Sequence, residues 1–159
     1  MKPRTRGPRR TSPDPLSGAA TLYNRDVLML AAALADFPLR DDLPLRGAAR
    51  SALCGSMLDL GLDLDDAGRI AAVGLLVRAC AIGQASAALF ARAAAGRDAA
   101  GIQIALTQLE AWLKDDGPQP DWPGIDLIAP AQAYPARHGA ILLAWQAARD
   151  ALSSAGNPR

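Results

Sequence analysis

Hydrophobic residues recur at helical spacing near the start of the chain, alternate in its middle third and return to helical spacing afterwards. The first repeat covers residues 27–34 and follows Asn24, a residue type that favours the N-cap of a helix. The repeat ends at Phe37-Pro38, so the pattern predicts one amphipathic helix. Residues 39–45 contain three charges and a proline, which is typical of a loop.

The alternating part of the chain predicts strands. Leucines occupy every second position from Leu58 to Leu64 with aspartate or glycine between them, which is the period of a strand with one wet face. Residues 65–68 supply turn chemistry, and a second apolar run follows over residues 69–79, so this region is predicted to be a β-hairpin. Residues 46–53 are predicted to add a third antiparallel strand.

Further helices are predicted after the hairpin. The apolar spacing favours helices over residues 82–93, 98–114 and 137–152, with Gly96 suited to the C-terminal end of the first. A proline-punctuated connector, residues 118–135, precedes the last helix. This order of elements predicts an α+β fold in which helices pack on one face of a small antiparallel three-stranded sheet.

The composition fits one domain built mainly on small aliphatic side chains. Half of the 159 residues are hydrophobic but only 4% are aromatic. Five of the 17 basic residues lie in the first ten positions, whereas residues 11–159 carry 12 basic and 16 acidic residues, a net charge of −4. Because prolines interrupt the basic start, we expect a disordered tail at 1–20, a domain at 21–153 and a short tail at 154–159.

The sequence shows no stretch with the length and polarity of a membrane span or an export signal. Arg9-Arg10 precedes Thr-Ser-Pro-Asp-Pro instead of an apolar run. We therefore expect a cytoplasmic protein in which both cysteines are free thiols. Neither nucleic acid nor a membrane is an expected partner, because the domain is net acidic and poor in aromatic residues for base stacking.

Both cysteines stand at predicted element boundaries. Cys54 ends the first predicted strand, and Gly55 allows the backbone to turn directly after it. Cys80 ends the hairpin and begins a long helix, whose exposed amides favour a thiolate. Either residue could instead be a small buried apolar side chain.

His138 is the one histidine of the chain, and it also lies near an element boundary, before the last predicted helix. Taken alone it could be a surface or capping residue. Two thiolates and an imidazole would suit zinc or an iron-sulfur cluster, because soft sulfur ligands favour these metals over magnesium or calcium.

Around these residues the chain resembles the NifU, IscU and SufU family of iron-sulfur cluster scaffolds, most closely its SufU type. Cys54-Gly55-Ser56 resembles the family's Cys-Gly-Asp loop, and residues 80–89 resemble the Cys-x-x-x-x-Ala-Ser stretch of SufU-type proteins. Residues 134–145, Tyr-Pro-Ala-Arg-His-Gly-Ala-Ile-Leu-Leu-Ala-Trp, are similar to the family's Tyr-Pro-x-Arg-x-x-Cys-x-x-Leu-x-Trp ending. Residues 22–38 resemble the first helix, so the resemblance covers about residues 22–152.

The resemblance is incomplete at the metal ligands. Ser56 stands where the family usually has an aspartate, Ala140 where it has a third cysteine, and Gly139 where IscU proteins carry a histidine. A serine hydroxyl is a poor metal ligand and alanine offers none. Whether His138 can replace the missing ligand is open, and the candidate ligand set is Cys54, Cys80, His138 and Ser56.

The resemblance implies a scaffold and not an enzyme. Such a protein accepts sulfur from a cysteine desulfurase, binds iron and passes a transient cluster, expected to be 2Fe–2S, to apo iron-sulfur proteins. Two alternatives remain: a zinc-bearing sulfur acceptor, and a metal-free interaction or regulatory relative of the scaffold. A Cys-His nucleophilic enzyme is less favoured because no oxyanion-hole or substrate motif accompanies the pair.

Overall fold

The computed structural model describes residues 22–156, and the tail predicted at 1–20 lies outside these residues. Its elements are α1 (Arg25–Ala32) with a 3-10 turn (Ala33–Asp36), β1 (Leu45–Arg50), β2 (Met57–Leu64), β3 (Ile70–Arg78), α2 (Ala81–Ala93), α3 (Ala99–Leu113), a 3-10 helix (Ile125–Ala133) and α4 (Pro135–Ala155). No helix within 22–156 is both long enough and apolar enough to cross a membrane.

The three strands form one antiparallel sheet in the order β1-β2-β3, which confirms the predicted sheet. Met57 pairs with Arg50 on one side and with Arg78 on the other. The β1–β2 turn and the exit from β3 are therefore at the same end of the sheet.

The helices cover one face of this sheet, as the sequence predicts. Leu58, Leu60 and Leu62 point into the core and are at most 1% exposed. Helix α4 crosses β1 and β2 so closely that a Cβ on Gly47 would clash with the main-chain oxygen of Ala147. A glycine is thus required in β1 because the strand lies directly against helix backbone.

A crossing segment, residues 37–44, covers the opposite face of the sheet. It begins at the free edge of β3, where the Leu75 amide donates a 2.8 Å hydrogen bond to the Phe37 carbonyl. It then passes over Gly61 and Gly74, which are paired across β2 and β3. Leu43 is 2% exposed there, because the two glycines leave room for its side chain.

The connector between α3 and α4 contributes to the core. Trp122 is 4% exposed, packs in a ring cluster with Phe90 and Trp145, and donates a 3.0 Å hydrogen bond from Nε1 to the Leu89 carbonyl. Aromatic pairs at these separations stabilise a core beyond the area they bury. Three of the seven aromatic residues thus meet where α2, α4 and the connector pack together.

Candidate functional site

Cys54 and Cys80 lie at the same end of the sheet. Cys54 is in the β1–β2 turn, and Cys80 follows the last residue of β3 by two positions. Since Arg50, Met57 and Arg78 are in register, both cysteine segments leave the sheet at this end. The same-end placement follows from the antiparallel pairing of the three strands.

Ser51 closes the turn that carries Cys54. Its amide donates to the Ser56 carbonyl at 2.8 Å, and its carbonyl accepts from the Gly55 amide at 3.0 Å. Gly55 has φ of +65°, a conformation that favours glycine. Ser51 and Ser56 are 7% and 5% exposed, whereas Cys54 between them is exposed. The turn therefore presents the thiol to solvent above two buried hydroxyl groups.

The Ser51 and Ser56 hydroxyl groups lower the pKa of the Cys54 thiol. Sγ and Ser56 Oγ are 3.0 Å apart; the neutral thiol donates to this oxygen, and the hydroxyl donates to the sulfur once the thiol is ionised. Partial burial raises the pKa of the Cys54 thiol, but hydrogen bonds from the Ser51 and Ser56 side chains and from the turn backbone outweigh it, so the net pKa lies below the usual value. A lower pKa means more of the nucleophilic thiolate near neutral pH.

Cys80 is the N-cap residue of α2 and is half-buried. Its carbonyl accepts the first helical hydrogen bond, from the Gln84 amide at 3.0 Å. The Gln84 side chain donates to the Ala79 carbonyl at 2.9 Å and so ties the helix start to the preceding residue. Cys80 is consequently held at the positive end of the helix dipole.

The first turn of α4 lies between the two cysteine segments. A Cβ on Gly139 would be 2.3 Å from Ser51 Oγ, and a Cβ on Gly83 would be 3.1 Å from the Ala140 Cβ. Residue 139 therefore faces the Cys54 turn, and residue 140 faces the first turn of α2. By the resemblance drawn from the sequence, residue 139 is where IscU proteins carry a histidine, and residue 140 is where the family has its third cysteine.

The His138 ring is hydrogen-bonded to the connector before α4. Its Nε2 is 2.7 Å from the Gln132 carbonyl oxygen in the 3-10 helix before α4, and the Gln132 side chain donates to the Trp112 carbonyl at 2.7 Å. In a helix, residues one and two positions apart point in different directions. His138 therefore does not share the direction of Gly139 or Ala140.

Within residues 22–156, no group of three histidine, cysteine, aspartate or glutamate side chains is placed to hold a metal ion. Cys54 is brought close to Ser56, while His138 is bonded to Gln132. A structural zinc site needs four protein ligands and a catalytic one needs three. The described donors thus fit a resident zinc ion poorly.

Sequence reasoning missed Ser51 as part of this site, and it did not predict the contact between Ser51 and Gly139. Their contact joins the β1–β2 turn to α4, and nothing in the local sequence around either residue specifies that pairing. A weak signal was present, because a glycine within a helix often marks a close approach of another chain segment.

The sequence matches no protein-family model, and no curated protein is significantly similar to it. Solved structures with the same fold include the following three. A nitrogen-fixing NifU-like protein (N-terminal) from Brucella abortus is 28% identical, with a TM-score of 0.77 over 86% of this chain and 95% of that one. This similarity confirms the NifU/IscU/SufU-like resemblance drawn from the motifs.

Two more distant structures share the fold. A putative iron-sulfur cluster assembly scaffold protein for the SUF system from Fervidobacterium islandicum AW-1 is 18% identical, with a TM-score of 0.74 over 84% of this chain and 98% of that one. A hypothetical protein solved at 2.3 Å is 19% identical, with a TM-score of 0.63 over 79% and 97% of the two chains.

Proposed function

We propose, from its similarity to the NifU-like structure and from its two cysteines, that this chain is an iron-sulfur cluster assembly scaffold of the NifU/IscU/SufU-like kind. The observation that carries the proposal is the placement of Cys54 and Cys80 at one end of the sheet, one exposed on a turn and one at a helix N-terminus. Such a pair can hold a small metal-sulfur group between an exposed turn and the positive end of a helix dipole.

Cys54 is the proposed sulfur acceptor. Its thiolate attacks the terminal sulfur of a persulfide on the catalytic cysteine of a desulfurase. The new S–S bond forms at Cys54 Sγ, the S–S bond of the donor breaks, and the donor cysteine leaves as a thiolate. Ser51 and Ser56 favour this step because their hydrogen bonds stabilise the attacking thiolate.

Iron and sulfide are the cargo of this reaction. An external thiol reductant supplies the two electrons that release each persulfide sulfur as sulfide, and Cys54 returns to a thiolate. Cys54 and Cys80 supply two thiolate ligands, so a 2Fe–2S cluster, which takes four, needs further ligands from another source. His138 is a candidate ligand only if its ring leaves the Gln132 carbonyl, and Ser56 only if its hydroxyl is turned from Cys54. A cluster held by few protein ligands would be released readily to apo iron-sulfur proteins.

Anaerobic reconstitution tests this proposal. The chain is incubated with iron, cysteine and a cysteine desulfurase, and visible absorption is followed for the bands of a sulfide-bridged iron cluster. Cluster bands in the wild type that disappear in Cys54→Ser and in Cys80→Ser support the scaffold. A wild type without such bands contradicts it.

The same samples separate the alternatives. Stoichiometric zinc that resists dialysis, without cluster bands, would identify a zinc-bearing sulfur acceptor despite the poor fit of the described donors. Persulfide on Cys54 with neither metal would identify a sulfur carrier. Desulfurase binding without metal or persulfide would identify a metal-free interaction or regulatory relative. The proposed compartment is the cytoplasm for each of these functions.

A further inference from the structure

A groove lies at the end of α2 opposite Cys80. It has a volume of about 460 Å³ and is lined by Leu89 and Arg92 of α2, by Arg97 after it, and by Gly124 and Leu127 of the connector. An adjoining hollow of about 190 Å³ shares Arg92 and Leu127 and extends the groove to Met29 of α1. The groove is therefore elongated and crosses three segments of the chain.

Two arginines give the centre of the groove a positive charge. Arg92 is exposed, and Arg97 is half-buried. Neither forms an ion pair with any residue of the described part, 22–156. Arg97 is held in place because its Nε donates to the Ala93 carbonyl at 2.8 Å and its guanidinium carbon lies 4.0 Å from the Trp122 ring centroid. This arginine is preorganised to offer its other N–H groups to a planar anion.

Apolar surface lies beside the charge. Met29 is 60% exposed, Leu127 is half-buried, and Pro123 is exposed on the connector. Asp26 lines the adjoining hollow, and Asp121 lines a neighbouring recess with Arg97. The groove is thus basic at its centre, apolar on one side and acidic beyond its ends.

We propose that this groove is a docking surface for a partner protein, which binds through an extended segment that places an acidic side chain next to a leucine-sized apolar one. The carboxylate lies between Arg92 and Arg97, and the apolar side chain packs against Leu127 and Met29. The chain's own basic start, residues 1–10, has the wrong charge for this groove.

The groove is far from the cysteines. Cys80 caps the start of α2 and Arg92 lies in its last turn, 12 residues later. This spacing corresponds to about 18 Å along the helix axis. A partner in the groove can therefore bind while the cysteine end of the sheet stays open to a second protein.

Peptide binding to the full metal-free chain tests the proposal. A fluorescein-labelled hexapeptide of alternating glutamate and leucine is titrated with the chain, and fluorescence anisotropy is measured. Arg92→Glu should weaken binding at least about tenfold, as charge reversal beside a bound carboxylate does. Arg149→Glu, the same change on the exposed surface of α4, should stay within about twofold of the wild type.

Control peptides separate the groove from general charge attraction. Alternating glutamate and serine, or lysine and leucine, should bind at least about tenfold more weakly than glutamate and leucine, because each lacks one of the two contacts. Amide NMR shifts should move at Gly124 and Leu127, and not at Gly55. The proposal is overturned if the glutamate-serine peptide binds as tightly as the glutamate-leucine peptide. It is also overturned if a single-stranded oligonucleotide binds more tightly than that peptide, or if Arg92→Glu leaves the affinity unchanged.

Self-association is the remaining outcome. If sedimentation shows a dimer that Arg92→Glu dissociates, the groove is occupied by a second copy of the chain, and the heterologous partner proposed above is wrong. A monomer at all concentrations supports the proposal. Neither result depends on whether Cys54 and Cys80 bind a cluster.

Discussion

The His138 ring lies 2.7 Å from the carbonyl oxygen of Gln132, so its one hydrogen-bonded nitrogen is directed at the 3-10 helix before α4. To bind a metal between the cysteine segments, Nε2 would have to leave that carbonyl, at a cost of about 1 kcal/mol for the lost hydrogen bond.

We therefore expect His138→Ala to leave cluster retention within about twofold of the wild type and to lower the free energy of unfolding by about 1 kcal/mol. Retention is measured as the decay of visible absorption after anaerobic gel filtration, and stability by urea unfolding. A loss of retention of about tenfold or more, with unfolding unchanged, would instead identify His138 as a ligand.

Ala140→Cys should strengthen cluster binding. Residue 140 is 1% exposed and faces the first turn of α2, directly after Cys80. A third thiolate there should slow cluster loss by roughly tenfold. Ala144→Cys is the control, because Ala144 is equally buried one turn further along α4 and away from the cysteines. Equal decay in both variants would show that position 140 cannot reach the cluster.

The Cys54 thiol should react at lower pH than an ordinary cysteine, whose pKa is about 8.5. Its pKa is lowered, so the reactive thiolate persists to lower pH, and alkylation by iodoacetamide should fall only when the pH drops below this lowered value. The rate at Cys54 is measured against pH by mass spectrometry of the peptide that contains it.

Ser56→Ala and Ser51→Ala should each move this profile to higher pH, because each removes a hydrogen bond that lowers the pKa of Cys54. Ser153→Ala, in an exposed serine of α4, should leave it unmoved. A wild-type profile identical to that of a cysteine in a short peptide would show that the two hydroxyl groups have no effect on the thiol.

Gly139→Ala should perturb the Cys54 turn. The added Cβ would be 2.3 Å from Ser51 Oγ, so either the hydroxyl or α4 must move, at a cost of about 1–3 kcal/mol. Ser51→Gly in the same chain removes the obstructing side chain and should recover most of that loss. If the two changes add without coupling in urea unfolding, residues 51 and 139 are not in contact.

Gly47→Ala should be the most destabilising of these variants, because the Cβ would meet the main chain of α4 and not a movable side chain. We expect a loss of at least about 3 kcal/mol in urea unfolding, or failure to fold. Gly156→Ala is the control, because Gly156 has negative φ and a Cβ there would make only an ordinary 3.8 Å contact with the Ser153 main-chain oxygen. A small change at Gly47 would mean that β1 and α4 are less close than described.

Much of the fold was predictable because its signals are local. The alternation of leucines in β2 predicts a strand and identifies the face that packs in the core, because every second side chain points to the same face. The turn residues after it predict the hairpin with β3. The strand before the hairpin, β1, is predicted to reach residue 53. It ends at Arg50, because Ser51 starts the tight turn to β2. The last helix extends to Ala155, three residues beyond the predicted end.

The missed features depend on contacts between distant parts of the chain. The prolines predict a connector at residues 118–135 but not its place in the core, where Trp122 and Ile128 are buried against α2 and α4. The direction of His138 depends on the Gln132 carbonyl, and the contact of Ser51 with residue 139 depends on the packing of α4 on the sheet. Local periodicity contains no information about either contact.

The glycine pair beneath Leu43 also has a consequence for the order of folding. Gly61 and Gly74 become neighbours only when β2 and β3 have paired, so the shallow surface that receives Leu43 does not exist before the hairpin forms. The hairpin is a local structure that can form within microseconds. The segment 37–44 can therefore take its place over the sheet only after β2 and β3 have paired.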